Sequence, residues 1–245
     1  MNYKWNWNVF WDLSPEGTGS HSYAYLLLDG LMWTVLTALS AWMIAFLIGS
    51  LMGVLRTLPS KSANWIAAAW VELFRNIPML VQLFLWFYVF PEVLPKAWGT
   101  ALKQLPNAAF YTAVVGLGFA TSARIAEHVR AGINALPRGQ SQASKALGFS
   151  TAQSYRYTLL PMAYRIMLPP LTSEFLNLIK NTSIGLTIGL LELTQRARSM
   201  YEYSAQVFEA FTAATILYLL LNMTVVTAVR ALERRVAVPG FTVAR

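Results

Sequence analysis

The residues of this sequence that could do chemistry are polar side chains set within apolar sequence. The richest run lies between Met167 and Leu191. Its polar members are Glu174, Asn177, Lys180, Asn181 and Thr182. Glu174, Asn177 and Asn181 follow i, i+3, i+7 spacing, which is one helical face. Such groups are costly inside a membrane unless they face protein or a water-filled route. The run therefore predicts a polar lining, although Glu174 and Lys180 could instead lie near opposite ends and extend to water.

Covalent chemistry finds little support in the sequence. The chain has no cysteine and only two histidines, His21 and His128, so thiol chemistry and a His-rich metal site are not expected. No Ser-His-Asp arrangement and no phosphate-binding G-x-x-x-x-G-K-[ST] motif occurs. We expect a chain that is not an enzyme and that binds no metal or cofactor of its own.

The composition of the chain indicates that the helices carrying these polar groups lie in a membrane. The chain is 56% hydrophobic and 12% charged, against about 25% charged in a typical soluble domain. Its net charge of +8 is spread beside apolar segments rather than gathered in one patch, which favours a membrane over nucleic acid as the reason for it. The sequence predicts an all-α polytopic membrane protein.

Apolar runs predict about five transmembrane helices. They are Gly30–Leu55, a helix that begins around Trp65 to Val71 and reaches Pro91, Gln104–Ala123, Met167–Leu191 and Ala210–Val229. Pro78 is expected to kink or break the second, because proline removes a backbone donor and clashes with the preceding turn.

Basic residues set the predicted orientation. If the N-terminus is outside, most of the 19 Lys and Arg residues fall on the inner side, as cytoplasmic loops require. The C-terminus is then cytoplasmic, and so is the polar segment 132–166 between helices 3 and 4. Residues 1–25 carry a tryptophan cluster and lack a signal-peptide pattern, which predicts an interfacial segment at headgroup level. A disordered polar tail is the alternative.

The segment 132–166 is too polar to span a membrane and contains residues that typically begin or end helices. We expect a short helix over Ser141–Leu147, ended by Gly148 in a left-handed conformation. Ser150 or Thr151 can cap a second helix, and Pro161 marks a break or restart. By itself this pattern fits either a docking site for a soluble partner or an ordinary interfacial helix pair.

Within that segment, GQSQASKALGFSTAQSYRYTLLP resembles the "EAA" coupling loop of the membrane subunits of ATP-binding-cassette importers. The positions of the motif are Gln142, Ala143, Ser144, Gly148, Leu160 and Pro161. Gln142 stands in place of the usual Glu, and Ser144 replaces the second Ala. A role that needs a carboxylate at 142, such as a salt bridge to the ATPase, is therefore not expected.

The resemblance covers nearly the whole chain, residues 1–245, as a single transmembrane permease domain. VELFRNIPMLVQLFLWF, ARIAEHVRAGI and LLPMAYRIMLPPLTSEFLNLIKNTSIG resemble the polar amino-acid branch of these permeases. WNWNVF and the detail of these blocks are most similar to glutamate/aspartate permease subunits. Glutamine, histidine or arginine remains an alternative substrate, and a standalone channel or secondary transporter is a further alternative.

The resemblance implies a multi-pass protein of the bacterial inner membrane with several partners. These are an ABC ATPase subunit that binds the ATP, a second related permease subunit that would make a heterodimer, and a periplasmic substrate-binding protein. The N-terminus would be periplasmic.

An acidic substrate would need cations or donors along its path. Candidates are Arg75, Arg124 and Lys180, lined by Asn177, Asn181, Thr182 and Ser183. The arginines could instead be topology determinants at the cytoplasmic rim. Glu174 is expected to pair with Lys180, although six residues is a poor helical spacing. Glu127 and Arg130, three apart, are expected to form a local ion pair.

Overall fold

Long apolar runs and proline breaks together determine the helices of this chain. The computed structural model describes residues 3–15 and 21–236, and these residues form helices and turns with no strand. The α-helices are α1 (Tyr23–Leu55), α2 (Lys61–Asn76), α3 (Met79–Phe84), α4 (Phe90–Val93), α5 (Lys96–Lys103), α6 (Ala108–Asn134), α7 (Arg138–Ala146), α8 (Thr151–Ser154), α9 (Leu160–Asn181), α10 (Leu193–Ser204) and α11 (Val207–Val236).

Three of these helices, α1, α6 and α11, are long and apolar enough to cross a membrane. A fourth candidate arises if α2 and Met79–Val93 count as one broken span. The break falls at Pro78, where the sequence predicts it, because α2 ends at Asn76 and α3 begins at Met79.

The predicted span Met167–Leu191 is wrong in its bounds. Helix α9 begins earlier, at Leu160, and ends at Asn181, after which Thr182–Ile188 forms a 3₁₀-helix. Hydroxyl groups favour this tighter turn: Thr182 and Ser183 each donate to the carbonyl three residues back, at 2.7 Å. Gly189 then ends the turn with φ +82°.

Of the two predictions for Pro161, a break or a restart, the structure shows a restart, because an α-helix begins at Leu160. A π-helical turn over Tyr155–Leu159 joins α8 to α9, and Pro161 is the second residue of α9. The same arrangement precedes Pro91, which follows a π turn over Leu85–Val89. We attribute both to the missing proline N–H and the bulk of its ring, which a wide π turn accommodates. The ends of the predicted loop 132–166 consequently belong to α6 and α9.

Two compact units divide the described residues, and α1, α6, α9 and α11 contribute to both. The first comprises residues 1–41, 79–117 and 177–224. Its core is made by Val9, Tyr23, Leu27, Leu193, Ala197, Met200, Ala210 and Ala214. The N-terminal segment joins this core through a 3₁₀-helix at Trp7–Trp11, while Trp5 and Trp11 remain exposed. Residues 1, 2 and 16–20 of the predicted interfacial segment lie outside the described residues.

The second unit comprises residues 42–78, 118–176 and 225–245, of which 237–245 lie outside the described residues. Its core is made by Ala45, Ile125, Val129, Ile133, Leu136, Leu159, Ala163, Met167 and Leu171. Helices α1 and α6 pack closely here because Gly49 and Gly53 face α6 without side chains. A Cβ on Gly53 would lie 2.5 Å from the Cβ of Val129.

Candidate functional site

The most distinctive structure in the second unit is a compact helical knob, residues Arg138–Leu159. Its first helix, α7, ends in a Schellman motif: Gly148 N–H donates to the carbonyl of Lys145 at 2.9 Å, and Phe149 N–H to that of Ser144 at 3.1 Å. Gly148 has φ +80°, as the sequence predicts. Glycine is favoured at this position because any Cβ would strain the backbone.

A capping box starts the second helix of the knob. Gln153 N–H donates to the Ser150 hydroxyl at 3.3 Å, and Ser150 N–H donates to the Gln153 side-chain oxygen at 2.8 Å. Of the two predicted caps, Ser150 is therefore the one used. The turn between α7 and α8 is fixed by backbone bonds on one side and side-chain bonds on the other.

Buried hydroxyls join the two halves of the knob. Ser144 is 3% exposed; its hydroxyl donates to the Ser141 carbonyl at 2.9 Å, and its oxygen lies 3.0 Å from Oγ of Ser154. Ser154 is also buried. Ser144, which stands where the coupling motif has alanine, thus adds a polar contact between α7 and α8.

The outer face of the knob combines apolar and basic groups. Leu147 is 76% exposed, and Phe149 and Tyr157 are also exposed, with ring centroids 6.5 Å apart. The Arg156 guanidinium lies 5.7 Å from the centroid of Tyr157. Gln142 and Ala143 are exposed on α7. Such a face on a polar segment is typical of a protein-binding surface.

Two of the predicted path residues form an ion pair in the second unit. Arg124 Nε on α6 donates to Glu174 Oε2 on α9 at 2.7 Å, and Arg124 Nη2 lies 3.2 Å from the Thr121 hydroxyl. His128 Nε2 lies 3.4 Å from the other Glu174 oxygen. The expected pairing of Glu174 with Lys180 is wrong, because α6 brings Arg124 and His128 to Glu174 instead. Sequence spacing carries no signal for contacts between residues some 50 positions apart.

Glu127 is the centre of a second cluster of charges. The expected pair with Arg130 is confirmed at 3.4 Å, but Arg56 from the end of α1 also bonds Glu127, and Arg75 from α2 lies 3.4 Å away. One carboxylate thus faces three guanidinium groups. The side chains of Arg75 and Arg130 are 49% and 43% exposed, whereas that of Arg56 is 11% exposed.

The remaining path candidates lie at the end of α9 in the first unit. Asn177 and Lys180 are exposed, and Asn181 and Ser183 are partly buried. Thr182 is buried, with its hydroxyl donating to the Ile179 carbonyl, so it offers no free group. Among the described residues no carboxylate lies within ion-pair distance of Lys180.

Sequence reasoning missed a buried carboxylate in the first unit. Glu192 caps α10 by accepting the N–H groups of Thr194 and Gln195 at 2.9 and 2.8 Å, and the Tyr218 hydroxyl donates to it at 2.7 Å. Burial raises the pKa of Glu192, and these hydrogen bonds oppose that rise. A position directly before a helix was the one available signal. Its hydrogen-bond partners make Glu192 a structural group.

A family model described as the inner membrane component of binding-protein-dependent transport systems matches residues 26–238. The chain belongs to this family. The match includes the knob and, within residues 26–238, the helices that form the second unit's core, α1, α6 and α9. The predicted resemblance to polar amino-acid importer permeases is thereby confirmed.

Curated relatives extend the match over nearly the whole sequence. The glutamate/aspartate import permease protein GltJ of Escherichia coli strain K12 is 42% identical over 243 residues, covering 98% of each chain. The probable glutamine ABC transporter permease protein GlnM of Bacillus subtilis is 33% identical over 210 residues, covering 86% of this chain and 93% of GlnM.

Solved structures share the fold. One described as an amino acid ABC transporter with histidines has a TM-score of 0.74 and 29% identity, covering 87% of this chain and 95% of the other. The inward-facing MetNI methionine ABC transporter has the same TM-score at 24% identity, covering 88% and 98%. At that identity it supports the fold alone.

Proposed function

We propose that this chain is a membrane subunit of an ATP-driven importer of acidic amino acids, glutamate and aspartate. The observation that carries the proposal is the knob: an ordered, capped helix pair with an exposed apolar and basic face, at the positions where the family's coupling motif stands. The 42% identity to a glutamate/aspartate permease supports the substrate.

The knob is the docking surface for an ATPase subunit. Leu147, Phe149 and Tyr157 supply apolar area for a groove, and Arg156 favours an acidic rim. Gln142 lies on the exposed side of α7 as a neutral donor and acceptor, so its contact is a hydrogen bond rather than a salt bridge. ATP is bound and hydrolysed by the ATPase, since this sequence lacks a phosphate-binding loop.

The membrane arrangement has five spans, with α9 as the fifth beside the four candidates by length and composition. The N-terminus is periplasmic, the knob and C-terminus are cytoplasmic, and the protein lies in the bacterial inner membrane. Because the chain has no cysteine, single cysteines test this cleanly. Lys145→Cys should resist a membrane-impermeant thiol reagent in intact spheroplasts, whereas Lys96→Cys should react. The reverse labelling pattern would contradict the orientation.

A second, related permease subunit completes the translocation path, and a periplasmic binding protein delivers the amino acid. We propose that the segment of residues 1–25 lies at the periplasmic interface of the inner membrane, since Trp5 and Trp11 are exposed in its described part.

The proposed path uses positive charge to attract a carboxylate. Arg124 and Arg75 of the second unit and Lys180 of the first are the proposed cations, and Glu174, Asn177 and Asn181 are the proposed polar lining. Thr182 is left out of the lining because its hydroxyl is buried and bonded to the Ile179 carbonyl. Lys180 offers the sharpest test because no described carboxylate neutralises it. Lys180→Gln should raise the substrate concentration needed for half-maximal uptake, whereas the matched change Lys96→Gln should not. Equal kinetics in both variants would remove Lys180 from the path.

Substrate identity is tested by uptake of labelled amino acids into vesicles that contain the assembled complex. The proposal predicts ATP-dependent uptake of glutamate and aspartate in preference to glutamine, histidine and arginine. Preference for glutamine is the second candidate, favoured by the 33% identity to a probable glutamine permease. Uptake without any ATPase subunit would instead indicate a channel or secondary transporter.

A further inference from the structure

Among the described residues, the side-chain hydrogen bonds that join the knob to the rest of the second unit are made by the hydroxyl of Tyr155. This residue opens the π turn that leads from α8 to α9, and its ring packs beside the core of the unit. The hydroxyl donates to the carbonyl of Thr57 at 2.9 Å and lies 3.0 Å from the Thr57 side-chain oxygen. Residues 155 and 57 are far apart in sequence, so this bond joins the knob to the end of α1.

The turn that Tyr155 reaches is itself tied to two further helices. Thr57 donates its own hydroxyl to the Val54 carbonyl at 2.8 Å, in the last turn of α1. The neighbouring Arg56 bonds Glu127 of α6, and the Asn64 side chain of α2 donates to the Arg56 carbonyl at 2.9 Å. The junction Arg56–Thr57 therefore connects α1, α2 and α6 to the knob.

Exposure separates this junction from the proposed docking face. Arg56 is 11% exposed, and Tyr155 and Thr57 are partly buried, whereas Leu147 and Tyr157 face outward. A partner that grips the outer face does not need to touch the junction. The junction nevertheless gives a displacement of the knob a hydrogen-bonded route to the ends of α1 and α2, because packed and hydrogen-bonded elements transmit shifts between discrete arrangements.

We infer that Tyr155 and Thr57 form a strut that transmits movement of the knob to α1 and α2, and so couples ATP hydrolysis to transport without contributing to docking. The inference rests on the proposed docking of an ATPase at the knob. Both are positioning residues in this proposal, since they act through the junction that joins the knob to α1 and α2.

Hydroxyl deletion tests the strut. A neutral hydrogen bond is worth a factor of about five in an equilibrium constant. Tyr155→Phe keeps the ring and removes both contacts, so the substrate imported per ATP should fall by about fivefold while the amount of co-purified ATPase stays unchanged. Thr57→Val removes one of the two Tyr155 contacts together with the hydroxyl's own bond to Val54, keeps the bond to the Thr57 carbonyl, and should give a smaller loss; Thr57→Ser should retain wild-type coupling. Tyr111→Phe is the control, because Tyr111 is exposed and lies outside both the knob and the Arg56–Thr57 junction.

A second readout does not depend on the substrate. Ser62→Cys places one thiol at the exposed start of α2 in a chain without cysteine, and its labelling rate in the assembled complex should change on addition of ATP. Tyr155→Phe should abolish most of that change. Unaltered coupling and labelling in Tyr155→Phe would overturn the strut, as would a loss of bound ATPase in that variant. Failure of glutamate uptake with intact ATP-dependent labelling would contradict the proposed substrate and leave the strut standing.

Discussion

Gly148→Ala is the substitution whose cost can be worked out most directly from the structure. An added Cβ would meet no heavy atom within 4 Å, so no steric clash enters the estimate. The stability lost in Gly148→Ala therefore comes from the backbone alone, because φ is +80° and a left-handed conformation is unfavourable for an L-residue by about 1–2 kcal/mol. That corresponds to a factor of about 5–30 in the equilibrium between closed and open forms of the α7 end.

Gly139→Ala is the matched control. Gly139 lies in α7, is exposed and likewise has no heavy atom within 4 Å of an added Cβ. Its φ is not in the left-handed region, so alanine should stabilise the helix by about 0.5–1 kcal/mol. The two substitutions make the same chemical change, yet one should destabilise α7 and the other should stabilise it.

Hydrogen exchange at the last turn of α7 measures both effects. The amides of Leu147, Gly148 and Phe149 close that turn. In Gly148→Ala we expect these amides to exchange about 5–30 times faster, and in Gly139→Ala more slowly than in the wild type. Unchanged protection in Gly148→Ala, or faster exchange in both variants, would refute the assignment of a Schellman end to α7.

Three further substitutions test the packing and the ion pair of the second unit. Gly53→Ala should destabilise the protein by about 1–3 kcal/mol in thermal unfolding, because its Cβ would overlap α6; a melting temperature equal to that of Gly139→Ala would contradict this. Glu174→Gln should lower the free energy of unfolding by about 1–2 kcal/mol, since it leaves the Arg124 guanidinium, about one third exposed, without its carboxylate partner. The double variant with Arg124→Gln should lose less stability than the sum of the two single losses, and strict additivity would count against the pair. Ser144→Ala should lower the free energy of unfolding by about 1 kcal/mol, because it leaves the buried Ser154 hydroxyl without its side-chain partner. Adding Ser154→Ala should recover part of that stability, and a further loss in the double variant would argue against the contact.

Local signals predicted the knob well because its structure is locally determined. Gly148 and Ser150 act on backbone groups within a few residues of themselves, and glycine and serine have strong preferences at those positions. The proline break at Pro78 was predictable for the same reason. The role of the knob came from resemblance, since its shape alone also fits an ordinary interfacial helix pair.

Charge pairing could not be predicted because it depends on tertiary packing. Glu174 was expected to pair with Lys180 along its own helix, whereas it pairs with Arg124 and His128 from α6. Glu127 shows both cases: its contact with Arg130 follows helical spacing, but those with Arg56 and Arg75 require α1, α2 and α6 to meet.

Helix ends inside apolar sequence were the least predictable feature of the fold. Hydropathy places Met167–Leu191 in one run, yet α9 starts at Leu160 and ends at Asn181. The hydroxyls of Thr182 and Ser183 bond back to the chain and tighten the turn there. The short helices α5 and α10 carry no apolar run and were not predicted.

The central claim is that the exposed face of the knob binds an ATPase, and co-purification tests it most directly. Tagged protein extracted in mild detergent should bring down an ATPase subunit, and Leu147→Asp should abolish this, because it places a charge in the apolar part of the face without disturbing a buried contact. Leu13→Asp, at another highly exposed leucine outside the knob, should leave the ATPase bound. If no ATPase accompanies the wild type, or if Leu147→Asp retains it in full, the account is contradicted.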